Sequence, residues 1–169
     1  MTVRSIGALL IAGVSLSVGG SLIHIWQKRA AQLSSFCRLL SALEDGIGKM
    51  GLPIQSIVAS FSDEVLEAAD FLPTARRLGE SDRPVNALGQ AFSVCQPYLA
   101  IDEEERVLLE QFFAVLGTED RVREAERCAY VRSRLELLHG EAVGALPAQC
   151  RIARTLAGAV GCAAALLLL

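Results

Sequence analysis

Few residues of this chain belong to reactive types, and none stands at a spacing that makes a reactive site. The five cysteines, Cys37, Cys95, Cys128, Cys150 and Cys162, are odd in number and widely separated. A structural zinc site needs closely paired ligands such as C-x-x-C, and a disulfide framework needs an even set of cysteines. Small buried thiols, kept reduced in a domain that faces the cytoplasm, account for these five. The two histidines, His24 and His139, lie far apart in the sequence. The run Asp102-Glu103-Glu104-Glu105 could attract a cation, but Asp102 and Glu105 also have the spacing of a helix capping box. Arg121, Arg123, Arg127, Arg132 and Arg134 alternate with Glu119, Glu124, Glu126 and Glu136, which reads first as a solvated helix face and second as a docking surface. Nucleophile elbow, P-loop and dinucleotide fingerprint are all missing. The sequence therefore gives no catalytic residue, no cofactor-binding residue and no metal ligand. It predicts a protein that is not an enzyme and takes no small-molecule substrate.

The elements that would carry these residues follow from how charge and hydropathy are distributed. Of the 169 residues, 52% are hydrophobic but only 5% aromatic, and the mean hydropathy is +0.40. Every Asp and Glu lies between Glu44 and Glu141. The net charge of −3 thus averages an acidic middle with cationic, apolar ends, and no concentrated basic face suggests nucleic acid. Residues 5–26 carry no formal charge, apart from any proton on His24, and end at Trp26 before Lys28 and Arg29. That length suits a bilayer core of about 30 Å. The basic pair places the following residues in the cytoplasm. Residues 155–169 are also uncharged and follow Arg151 and Arg154. The reading is a first transmembrane helix over 1–27, a cytoplasmic helical domain over 28–151, and a second transmembrane helix over 152–169. Its rival is a cleaved signal segment at the front of an exported or anchored binding module.

The middle shows helical periodicity and no alternating strand pattern. The first helix is expected to continue past the membrane through Leu33, Phe36, Leu40 and Leu43, and to loosen at Gly46, Gly48 and Gly51. Pro53 suits the first turn of a helix reaching about Phe61. A short helix is expected over 71–78, closed by Gly79, and another opening at Pro84 with Val85, Leu88 and Phe92 on one face. Asp102 should cap the helix that carries Leu108, Leu109, Phe112, Phe113 and Leu116, and Gly117 should stop it. Thr118 is the expected cap of the longest helix. Cys128, Val131, Leu135, Leu138 and Ala142 form a seam along that helix, and a kink or break is expected at Pro147. The fold class is all-α: a bundle of about five or six helices flanked by N- and C-terminal transmembrane helices.

Over essentially its full length the chain resembles the stage III sporulation protein AB family. Ile6-Gly7-Ala8-Leu9-Leu10 opens the first apolar segment, followed by a basic stop and the helix at 33–43. The Gly/Pro turn and helix at 51–61 come next, and 85–92 occupies the place of the family's SLxEAW-like helix. The turn Leu116-Gly117-Thr118-Glu119-Asp120-Arg121 is similar to the family's LGxSDR turn. Thr118-Glu119 replaces the usual small polar pair, the Gln often found after the turn is absent, and the Pro53 segment lacks the usual Glu-Ala-Leu. The resemblance implies a non-enzymatic platform in the membrane channel complex between mother cell and forespore. It further implies a two-pass protein of the cell membrane, with its helical domain on the mother-cell side. That domain would look like the helical domain of type II secretion platform proteins and dock a cytoplasmic secretion-type ATPase. Partners would be the membrane and other stage III sporulation channel proteins, with a homo-oligomer left open. No cofactor and no nucleic acid is implied.

Overall fold

Leu33, Phe36, Leu40 and Leu43 recur at three- and four-residue spacing, and all four are fully buried on the first helix. The structure, a computed structural model, describes the backbone of residues 2–80 and 86–168. Described side chains cover 20–80, 86–153 and a few beyond. Among the described residues seven α-helices and no strand occur. They are α1 (Thr2–Gly48), α2 (Ile54–Ser60), α3 (Glu64–Ala68), α4 (Phe71–Gly79), α5 (Ala87–Cys95), α6 (Glu103–Val115) and α7 (Arg121–Leu168). A 3-10 turn at Gln96–Tyr98 follows α5.

The chain divides into two compact units. One holds the residues up to Lys28 together with those from Glu141 onward, and the other is Arg29–Gly140. Among the described residues no helix is long and apolar enough to cross a membrane. Most of the two expected spans, 5–26 and 155–169, lies among side chains outside the described residues.

Five phenylalanines form the centre of the Arg29–Gly140 unit. Phe36 meets Phe71 edge-on at 5.4 Å, Phe92 lies 5.4 Å from Phe113, and Phe112 lies 5.2 Å from Phe113. Edge and tilted geometries of this kind add to the area that the rings bury. Cys128, Val131, Leu135 and Leu138 of α7 are buried as the seam predicts, whereas Ala142 is half-exposed.

Several boundaries differ from expectation for local reasons. Helix α1 runs through Gly46 to Gly48, and the chain turns at Gly51 with φ +63°. A Cβ on Gly46 would sit 2.5 Å from Ile57 Cδ1, so the glycine permits close packing of α2 rather than loosening the helix. Pro53 is the residue before α2, not within it. Helix α3 was not expected. Asp63 caps it by accepting from Val65 N and Leu66 N at 3.1 Å each. Pro84, Val85 and the turn around them lie outside the described residues, and α5 starts at Ala87 after Asn86. Thr118 does not cap α7, which begins at Arg121; its hydroxyl donates to Val115 O at 2.7 Å instead. Pro147 lies inside α7, which continues across it without a break.

Ion pairs link α1 to distant parts of its own unit. Arg29 donates to both oxygens of Glu105, which is fully buried, and pairs with Asp102 at 2.5 Å. Gln32 Oε1 accepts from Ala100 N at 2.6 Å. Arg38 pairs with Asp63 at 2.5 Å, and Arg132 on α7 bonds Glu44 at 3.0 Å. Arg29, which the sequence assigns to the cationic flank of the first apolar segment, is thus held by carboxylates. The capping box is present, with Glu105 accepting from Asp102 N at 2.8 Å. Glu103 pairs with Arg106 and Glu104 with Arg134, so each acid of the run faces an arginine.

Candidate docking face

Two turns meet at one end of the Arg29–Gly140 unit, and glycine makes both possible. In the turn between α6 and α7, Gly117 adopts φ +86°, a conformation costly for a residue with a Cβ. Its N–H donates to Glu124 Oε1 at 2.7 Å, so the first turn of α7 holds the loop that precedes it. In the turn between α1 and α2, the guanidinium of Arg121 lies against Gly51, where a Cβ would approach Nη1 to 2.6 Å. Arg121 therefore packs one turn onto the other. Met50, Leu52 and Val122 are exposed at this end, at 69%, 42% and 65%. Exposed apolar side chains gathered on two turns that pack together make this end a candidate contact site.

Next to these turns lies a groove of about 830 Å³ between α2, α4, α5 and the end of α6. Ile54 and Val58 form one wall, Ala75 and Leu88 the other, and Leu116 and Gly117 close the end. Asn86 borders it in a left-handed conformation, φ 62°, accepting from Gly89 N at 3.2 Å and donating to Ala114 O at 3.4 Å. Arg76 reaches the rim but is occupied by Phe61 O and Glu67. The groove is thus lined largely by apolar side chains, with Arg76 and Asn86 at its rim already bonded, which suits contact with a protein side chain better than chemistry.

The residues that sequence reasoning examined for chemistry are dispersed. Among the described residues, no group of three or more His, Cys, Asp and Glu side chains could hold a metal ion. Burial, and then the charge of Glu136, pushes the Cys37 thiol up to about 11. Burial, and then Glu124 and Glu44, pushes Cys128 up to about 12. Thiols so protonated are poor nucleophiles. Cys95 is buried and shifted in the same direction, first by burial. The side chain of Cys162 lies outside the described residues. His24 is exposed, and His139 is half-buried with its Nδ1 shielded and without a hydrogen bond.

The expected solvated face on α7 holds only in part. Glu124 is 2% exposed and serves the turn instead. No signal in its immediate neighbours marks it, because its partner is the backbone of Gly117, which carries no side-chain type to read. Arg127 pairs with Glu119 at 2.7 Å and Arg132 with Glu136 at 2.8 Å, as a charge-laced helix surface would.

No curated protein and no solved structure matches the chain. A family model described as stage III sporulation protein AB matches residues 4–169, nearly the whole chain, including both turns and every wall of the groove. The chain belongs to the stage III sporulation protein AB family.

Proposed function

We propose that this chain is a non-enzymatic platform of the sporulation channel complex, anchored by two membrane spans and docking a cytoplasmic secretion-type ATPase. The uncharged stretches at 5–26 and 155–169 anchor it in the cell membrane. The arginines and the lysine that flank them keep the middle unit in the cytoplasm, on the mother-cell side. Other stage III channel proteins assemble around it. One observation carries the docking role. The turn that bears the family resemblance, Leu116 to Arg121, is the turn that closes the apolar groove and lies beside exposed Met50, Leu52 and Val122. A platform needs surface held in a fixed geometry, and bonds between turn and helix fix this one.

Two measurements test the proposal. With Cys at the exposed rim position Glu80, a membrane-impermeant maleimide should label the full-length chain only after cells are lysed. Labelling of intact cells would place the groove outside and favour an exported binding module. With the topology established, Val122→Glu and Met50→Glu should each release the channel ATPase from membranes that carry the otherwise intact chain. Undiminished retention in both variants would move the docking site elsewhere.

A further inference from the structure

Arg121, the first residue of α7, is exposed and carries a charge that no described carboxylate pairs with. Ten arginines of the Arg29–Gly140 unit are described, and eight of them lie within 3.9 Å of a carboxylate oxygen. Arg77 and Arg121 are the exceptions, and only Arg121 belongs to the two turns. Its charged neighbours are already matched: Lys49 pairs with Asp45 at 2.6 Å, Arg127 with Glu119 at 2.7 Å, and Arg123 stands 3.9 Å from Asp120. Glu124 is buried and turned to Gly117 N. We infer that Arg121 takes the carboxylate of an Asp or Glu on the docked ATPase, from a segment that also brings apolar side chains; the inference rests on the docking role proposed above.

Three observations support that partner. The first is position. The guanidinium lies against Gly51, where a Cβ would stand 2.6 Å from Nη1 and 3.2 Å from Cζ. A fork held against backbone loses little freedom on binding, and its paired N–H groups match the two oxygens of a carboxylate. The second is that the fold does not need the charge. A cation in the first turn of a helix opposes the macrodipole, and an uncharged chain of the same length would cover Gly51 as well. The third is what surrounds it. Met50, Leu52 and Val122 are exposed on the same two turns, so the arginine stands among apolar side chains, as charged anchors of protein interfaces do. An anionic leaflet is broad, and it would meet Asp45 and Asp120, 46% and 67% exposed, together with Arg121. A protein side chain can address the arginine alone and leave those two carboxylates in water.

The full-length chain would be reconstituted in phosphatidylcholine vesicles, and binding of the channel ATPase measured by sedimentation between about 50 and about 500 mM NaCl. Arg121→Met keeps the length of the side chain and its contact with Gly51 but removes the fork, whereas Arg121→Lys keeps the charge. The wild type should bind tightest and Arg121→Lys next. Arg121→Met should bind about tenfold more weakly than the wild type, with a flatter dependence on salt. In an Arg121→Asp chain, one Asp→Arg or Glu→Arg substitution among those scanned over the ATPase surface should restore binding. Arg121→Met binding as well as Arg121→Lys would overturn the inference, since the residue would then act through packing alone. A scan that restores binding at no position would overturn the carboxylate. Release by Val122→Glu with full retention in both arginine variants would keep the docking face and overturn this inference. Failure of the wild-type chain to bind the ATPase would remove the docking role and the inference with it. An effect of Arg121 that appears only after phosphatidylglycerol is added would assign the arginine to lipid and overturn it.

Discussion

The carboxylate of Glu105 is fully buried, and Arg29 is the only cation bonded to it among the described side chains. A buried pair adds little over an apolar pair of the same volume, but removing one partner leaves an uncompensated charge. Arg29→Ala should therefore destabilise the chain by about 3 kcal/mol in denaturant titration, while Arg29→Met with Glu105→Leu should recover only part of that loss, because Glu105 also accepts the capping-box bond from Asp102 N. Asp63 makes a pH prediction. Burial alone would raise its carboxyl, but hydrogen bonds from Arg38, Leu66 N and Ser35 hold it below the ordinary value near 3.8. A carboxyl lowered by folding stabilises the native state above the unfolded pKa, and this contribution is lost as the pH falls through the folded value. Melting temperature should drop below about pH 3.8, and Asp63→Asn should flatten that part of the profile. The thiols give a third test. With Cys37 near 11 and Cys128 near 12, iodoacetamide at pH 8 should modify neither within the time that modifies both in denaturant, as read by peptide mass spectrometry.

At the scale of elements, the Gly117 turn is the most demanding feature. A Cβ there would lie 3.3 Å from Ile54 Cδ1, and φ is +86°. Gly117→Ala should destabilise by about 1–2 kcal/mol and loosen the groove wall that Ile54 forms, which a loss of ATPase retention would register. Glu124→Leu should act on the same turn by leaving the Gly117 N–H without its acceptor, at a cost of about 1–3 kcal/mol. Elements whose signal lies in nearby side chains were legible in the sequence. The Asp102–Glu105 box, the stop at Gly117, the stripe on α1 and the seam from Cys128 to Leu138 all stand as their spacing predicts. What was not legible depends on distant or backbone partners. Helix α3 has only five residues and exists because Asp63 caps it while Arg38 holds Asp63 from twenty-five residues away. Thr118 turns back to α6 and so cannot serve α7. Pro147 costs a helix one hydrogen bond, and in a helix as long as α7 the turns on either side carry the chain through.

At the scale of the molecule, the first and last long helices close one core. Glu44 bonds Arg132, and a Cβ on Gly48 would lie 3.0 Å from Ala125, so the end of α1 and the start of α7 lie side by side. Cys128, Val131, Leu135 and Leu138 together bury four side chains on that seam. At about 1.5–3 kcal/mol for each large aliphatic one, they match a typical total stability of about 5–15 kcal/mol. A chain ending at Gly140 should keep cooperative unfolding by circular dichroism, and a chain ending at Asp120 should lose it. Retained cooperativity in the shorter chain would mean that α1 to α6 form a sufficient core.

The same closure sets a schedule for the newborn chain. The ribosome delivers Leu43 ninety-five residues before Leu138, the last member of the seam. At about 5–20 residues per second this interval is roughly 5–20 s. Throughout it, the stripe of Leu33, Phe36, Leu40 and Leu43 waits without its final cover. Translation speed between these points, rather than any property of the finished fold, governs how long an aggregation-prone surface is open to chaperones.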